Sequence, residues 1–275
     1  MSTQDSQSDQ PDPLSVEGRV AAFQRALAPV QLPKRFYTDV AVRAVPAPGE
    51  SDAAQPTSFA LELDGRPVRT PSGTLLAVPA AALAAAIGDE WNRQGEHIDA
   101  STMPLTRLAN TTIDRVVGRD DTIAAEISAY ARSDLLCYRA EGPESLLSVQ
   151  ATHWDPPLQW AHERLGARLI CSAGIVFHDQ PPGALAAIDD WTCRLDAYAL
   201  TALHNITTLT GSCILALALA DGAIAPGAVW DAAHVDETWQ ATQWGQDEEA
   251  LARLAKRRVE FDAAWNFFQV SRPAE

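Results

Sequence analysis

Apolar and polar positions in the first third of the chain alternate with period two. Tyr37, Val40, Val42 and Val45 are strand formers, and Pro46-Ala47-Pro48-Gly49 ends the run. Glu50 to Thr57 reads as a solvated loop. Phe59-Ala60-Leu61-Glu62-Leu63 alternates again and runs into Asp64-Gly65, then Arg66-Pro67-Val68-Arg69-Thr70. Asp-Gly supplies the positive φ that a two-residue hairpin turn demands. Pro71-Ser72-Gly73 makes a second turn, and Leu75 to Val78 a short strand. The pattern predicts a small antiparallel sheet.

Beyond Val78 the period changes to that of a helix. Leu83, Ile87 and Trp91 fall at i, i+4 and i+8 in the alanine-rich stretch Pro79–Gln94, with Pro at its start and Gly95 past its end. Leu105 to Val116 and Ile123 to Ala131 follow as helices. Trp154-Asp155-Pro156-Pro157 reads as a helix start, with Asp155 as cap, and Gly166 as the helix end. Leu169 to Phe177 is an apolar run of extended character. Ala184 to Ala197 is helical, Tyr198 to Ala220 reads as one central buried helix, and Pro226–Trp244 and Asp247–Phe268 as two amphipathic helices. Small residues at Gly211-Ser212 read as close-packing positions.

The fold expected is α+β: a small antiparallel-sheet N-terminal domain with helices, followed by an all-α C-terminal domain. Residues 1–30 read as a disordered or short helical segment (polar over Met1–Pro13, amphipathic over Val16–Leu27). Residues 31–120 form the α+β domain and 121–275 the all-α domain, joined near 117–130.

Charge narrows the partners. Against 21 Lys+Arg stand 36 Asp+Glu, a formal net charge of −15 over 275 residues. Sequence-independent nucleic-acid binding and anionic-lipid docking both need a basic surface, so neither is expected. No apolar run approaches the ~20 residues of a membrane span. The N-terminus carries no secretory or transit signal, and the setting expected is a bacterial cytoplasm. The four cysteines, Cys137, Cys171, Cys193 and Cys213, lie far apart in apolar contexts and read as buried, reduced thiols.

Chemistry is sparse. Phosphate-binding, dinucleotide-binding and nucleophile-elbow motifs are absent. The six histidines, among them His153, His162 and His234, show no metal-ligand pairing and read as surface or capping groups. No catalytic residue, metal site or cofactor is expected. Asp236 and Glu237 are adjacent, so a helix would not let them face one bond. Read as one helix, Trp230, Ala233, Glu237, Gln240, Ala241 and Trp244 share a stripe. Glu237 in it is either a structural ion pair with an arginine or a charged anchor in an apolar docking surface. The eight tryptophans divide likewise between core and contact.

Several segments carry a resemblance. They are Lys34-Arg35-Phe36-Tyr37, Leu63-Asp64-Gly65-Arg66-Pro67-Val68-Arg69-Thr70-Pro71, Glu90-Trp91, Met103-Pro104-Leu105-Thr106-Arg107-Leu108-Ala109-Asn110-Thr111 and Ile113-Asp114-Arg115. Asp134-Leu135-Leu136-Cys137-Tyr138-Arg139, Trp154-Asp155-Pro156, Asp236-Glu237-Thr238-Trp239-Gln240 and Trp244-Gly245 complete them. From about Lys34 to Phe268 the chain resembles the F(1)-ATPase assembly chaperone family that binds the ATP synthase alpha subunit, in a bacterial form. The resemblance implies a non-enzyme without cofactor, monomeric when free, that holds the unassembled alpha subunit and masks its beta-facing surface. It also implies that the functional acidic residue before the Trp-Gly pair is Glu237, with Asp236, Trp239, Gln240 and Trp244 as the surrounding partner-binding residues. A general holdase and a cofactor-free hydrolase or isomerase built on His153, His162 or Asp155 are the alternatives.

Overall fold

The computed structural model describes residues 32–46, 57–245 and 247–272. The expectations for Met1–Pro13 and Val16–Leu27, and most of the Glu50–Thr57 loop, lie outside the described residues.

Strands β1 (Val40–Val45), β2 (Ser58–Leu63), β3 (Arg66–Pro67) and β4 (Ala77–Val78) form the predicted antiparallel sheet. Strand β2 is central: it pairs with β1 from Val40↔Leu63 to Val45↔Ser58 on one edge and with β3 and β4 on the other. The Asp64-Gly65 turn has both residues at positive φ, 49° and 73°, as a primed hairpin turn requires. The Asp64 carboxylate accepts from the amides of Thr38 and Asp39 at 3.0 and 2.8 Å, tying the turn to the entry of β1.

Helix α1 (Ala81–Asn92) covers the sheet, burying Leu83, Ala84 and Ile87. A Cβ on Gly88 would stand 3.7 Å from both Leu61 and Val42, ordinary van der Waals contact. Helix α2 (Pro104–Thr111) begins at the Met-Pro motif, with Pro104 at its first positions. It is prolonged by a wide turn over Thr112–Val116. Helix α3 (Asp120–Ala129) follows, then the two-residue strand β5 (Tyr138–Arg139).

Four expectations are corrected downstream. Helix α4 runs Glu144–Trp160, so Trp154-Asp155-Pro156-Pro157 lies inside it and does not start it. The segment does end at Gly166, in the left-handed region at φ 75°. The Leu169–Phe177 run contributes only Ser172–Ala173 as strand β6, parallel to β5. Ile175 is 95% exposed, and Val176 and Phe177 are also exposed.

After α5 (Pro182–Thr192), the expected single buried helix is two: α6 (Ala197–Thr210) and α7 (Cys213–Ala220). Gly211, at φ 71°, caps the first, and the Ser212 side chain accepts from Leu215 N to cap the second. The Gly-Ser pair is thus a stop and a start, not a packing notch within one helix.

The expected Pro226–Trp244 helix also divides, at His234, into α8 (Pro226–Ala233) and α9 (Val235–Trp244). The last helix, α10 (Glu248–Ser271), matches its expectation closely.

One contiguous apolar cluster runs from Leu61 and Ile87 through α6 and α7 to Phe261 and Phe268. Helix α6 is its axis, packed by α3, α7 and α10. Each fully buried Leu or Ile contributes roughly 1.5–3 kcal/mol, and α7 buries every residue but its last. Helix α10 also packs on α1 and α2, beside a paired Arg107–Glu260 contact at 2.9 and 3.0 Å. That pair is more than two-fifths exposed on each side, so it adds at most about 1 kcal/mol.

The cysteine expectation holds for Cys137 and Cys213, which are buried, and fails for Cys171 and Cys193, which are exposed. Cys171 lies at the solvent edge beside β6, next to the exposed Ile170, and Cys193 just past the end of α5. His234 is buried and stands at the junction of α8 and α9, ending one helix and preceding the other, which is the capping side of the surface-or-capping expectation. No helix among the described residues is long and apolar enough to cross a membrane.

Candidate functional site

Most of the motif residues are occupied in holding the fold. The Glu90 carboxylate receives Leu105 N at 2.7 Å, Thr106 N at 2.8 Å and the Thr106 hydroxyl at 2.7 Å. It thereby caps α2 from outside, which explains Glu90 and the Pro-Leu-Thr segment together. Burial outweighs these bonds and raises the Glu90 pKa above its ordinary value.

Asp114 accepts from Thr70 Oγ1 at 2.6 Å and Ser72 N at 3.1 Å, fixing the turn after β3. Asp134 is fully buried and accepts from Leu136 N and Ile214 N at 3.1 and 3.2 Å, anchoring the start of α7. Desolvation pushes its carboxyl up despite those donors. Trp154 Nε1 donates to Ala232 O at 2.7 Å, and Tyr37 donates its hydroxyl to Trp91 O at 2.8 Å. Arg139 meets Asp155 at 2.7 Å and stacks near Trp154.

Subtracting these structural roles leaves few motif side chains facing solvent. Phe36 is 74% exposed and borders an open groove with Arg66, Arg69 and Trp91. Trp244 is 86% exposed, the one tryptophan of the eight so placed. Neither the Phe36 groove nor the exposed Ile175–Phe177 loop stood out as a site in the sequence. The signal available was an apolar residue beside arginine or glycine, which is common in loops.

Helix α9 divides the five expected partner-binding residues. Val235 is buried, and Trp239 packs half-buried against the core. Asp236 accepts from Gln150 Nε2 of α4 at 2.8 Å. Glu237, Gln240 and Trp244 are exposed and, at i, i+3 and i+7, share the opposite face. The stripe expected from Trp230 onward is broken: Trp230 and Ala233 belong to α8 and are buried. Trp230 stacks on His234 with centroids 4.0 Å apart and meets Phe261 at 5.4 Å.

Among the described residues Glu237 forms no ion pair; the salt bridges join other groups. Asp236 and Glu237 occupy the first turn of α9, and Glu248 and Glu249 that of α10, where the helix dipole favours negative charge. Leu251 and Val259 on α10 are exposed, while Phe261, Ala264, Phe267 and Phe268 are buried. Outside the core, α9 and the start of α10 thus expose acidic side chains, the Trp244 ring and Leu251, with the basic Arg253, Lys256 and Arg257 following along α10. Among the described residues these side chains hold no nucleophile and base together.

His162, Asp155 and Cys171 line an open groove beside α4, with the Asp155 carboxylate already taken by Arg139. Among the described residues no group of three His, Cys, Asp or Glu is placed to hold a metal ion.

Comparison with known proteins gives these surfaces a setting. Residues 34–162 match the family described as ATP12 chaperone protein. The mitochondrial protein atp12 of Schizosaccharomyces pombe is 25% identical over 202 residues, 69% of this chain and 69% of that protein. The crystal structure of Atp12 from Paracoccus denitrificans superposes with a TM-score of 0.80 at 38% identity, covering 87% of this chain and 99% of that one. A candidate chaperone from Agrobacterium tumefaciens superposes at 0.82 with 42% identity, covering 96% of this chain and 93% of that one. Identity at this level, over nearly the full length of those solved chains and on the same fold, means that this chain belongs to the ATP12 chaperone family.

Proposed function

We propose that the protein is an assembly chaperone for the catalytic F(1) sector of an F-type ATP synthase, which holds the unassembled alpha subunit and covers its beta-facing surface. The observation that carries the reading is the exposed face of α9, where Glu237, Gln240 and Trp244 stand together without a hydrogen-bond or ion-pair partner among the described residues. An unassembled subunit exposes apolar surface meant for a neighbour, and such surface aggregates. A binder for it needs an aromatic anchor and a charge that sets register. Trp244 is the anchor and Glu237 the charge, and Asp236 and Trp239 fix the helix from behind. The net charge of −15 suits a client surface bearing arginine or lysine.

The test is co-purification with recombinant alpha and beta subunits, each offered separately. Retention of alpha and not beta is the expected result. Retention of beta alone, or of neither, overturns the reading.

A general holdase is the second reading. It is favoured by the loop Ile175-Val176-Phe177, whose side chains face solvent far from α9 in sequence. Suppressed aggregation of unrelated unfolded proteins, at the same stoichiometry as for the alpha subunit, would select it.

A further inference from the structure

The short parallel pair β5–β6 aligns Tyr138 with Ser172 and Arg139 with Ala173. One residue upstream on each segment stands a cysteine, Cys137 and Cys171. Both are free, one buried and one exposed; the strand register brings them side by side, and the Cys171 thiol donates to Leu136 O, the carbonyl just before Cys137, at 3.9 Å. Chain segments that distant in sequence rarely place two sulfurs together by default, and neighbouring backbones at strand spacing fall in the range a disulfide can span.

We propose that Cys137 and Cys171 are a peroxide-responsive modification site, in which Cys171 is the attacking thiol and Cys137 the resolving one. The Cys171 thiol gives up its proton and its sulfur attacks hydrogen peroxide; a sulfur–oxygen bond forms, the oxygen–oxygen bond breaks, and the leaving hydroxide takes up that proton as water. The Cys137 sulfur then attacks the resulting Cys171 sulfenic acid. The sulfur–sulfur bond forms, and the departing hydroxyl takes up the Cys137 proton as water. Over both steps two thiols are oxidised by two electrons and one peroxide is reduced to two waters.

The surroundings suit each role. The neighbouring Cys137 thiol and the positive charge of Arg139 lower the Cys171 pKa to about 6, against burial and the Asp155 carboxylate. The same proximity, with burial and the Asp134 carboxylate, pushes the Cys137 thiol far up, so it keeps its proton until Cys171 has reacted. Cys193 is the internal control. It is also exposed, but burial of its thiol and the nearby Asp189, Asp121 and Asp190 raise its pKa. The bridge would staple the base of the loop that carries Ile175, Val176 and Phe177.

The experiment treats the reduced full-length chain with a small molar excess of hydrogen peroxide, blocks free thiols, and maps peptides without reductant. A joined peptide pair through Cys137 and Cys171, released by dithiothreitol, is the expected result. Cys171 should be consumed about tenfold faster than Cys193. Cys137→Ser should accumulate a dimedone adduct at Cys171, and Cys171→Ser should give no joined pair. Equal consumption of Cys171 and Cys193 in the unaltered chain overturns the proposal, whether or not the variants fold. So does a bridge from Cys137 to Cys213 instead, or a Cys137→Ser protein that folds and yields no sulfenic acid.

Discussion

Gln150 holds Asp236 at 2.8 Å through its amide nitrogen, while its amide oxygen accepts Ala140 N at 2.9 Å. One buried glutamine thus ties the first turn of α9 to the segment after β5. The neighbouring Glu237 is turned outward by the helix geometry alone. Two adjacent carboxylates therefore differ in role: one fixes the helix, the other faces solvent.

Charge reversal at Glu237 should separate binding from folding. Glu237→Lys is expected to weaken capture of the alpha subunit at least tenfold, while stability falls by only about 1 kcal/mol, the scale of a charge lost from the first turn of a helix. Titration calorimetry with parallel urea unfolding checks both. Equal loss in a globally destabilised protein would show the residue to be structural.

Trp244→Ala removes the largest exposed side chain of the same face. A buried aromatic anchor is worth about 2 kcal/mol or more at an interface, roughly thirtyfold in affinity. Intrinsic fluorescence should report it directly, since docking moves this indole out of water. No change in emission on adding the alpha subunit would place the interface elsewhere.

Glu90 predicts a loss of stability without loss of a contact surface. Glu90→Ala leaves Leu105 N and the Thr106 amide and hydroxyl without their acceptor, at a cost of about 2–4 kcal/mol. Glu90→Gln keeps one acceptor oxygen and should cost less than the alanine variant. Denaturant midpoints for the two variants decide it; equal stability in both would mean that the carboxylate does not cap α2.

His234 sets a pH dependence. Burial holds its pKa below the ordinary histidine value, while Nδ1 contacts Trp230 O at 2.8 Å and Nε2 has no hydrogen-bond partner among the described residues. The unfolded chain takes up a proton near the ordinary value of about 6.5, before the folded chain does. Stability from this group is therefore complete above that value and is lost as the pH falls through it toward the depressed folded one. Unfolding midpoints taken from about pH 7.5 to 5.5 should fall more steeply for the native protein than for His234→Gln. Parallel curves would rule the histidine out.

The sheet was readable in advance because its signals are local. Asp64-Gly65 carries the turn in two residues, and Phe59, Leu61 and Leu63 alternate around it. The helix breaks were less visible. At Gly211-Ser212 the stop and start residues are present, but an apolar run on both sides resembles one buried helix. At His234 no breaking residue exists; the chain turns where the imidazole stacks on Trp230, a contact made by folding. Pro156-Pro157 misled in the opposite sense, since α4 passes through both prolines. At the candidate site, the residue types of α9 were legible and its inner and outer faces were not. The expected stripe assumed a continuous helix from Trp230, and the break rotates everything after it.

Helix α10 obeys two rules along one axis. Its far half carries Phe261, Phe267 and Phe268 into the core, where a lost methylene is felt. Its near half, from Glu248 to Arg257, touches little of that core. Substitution there is therefore nearly neutral for folding, and one helix joins a tolerant outer half to a foundation that tolerates little.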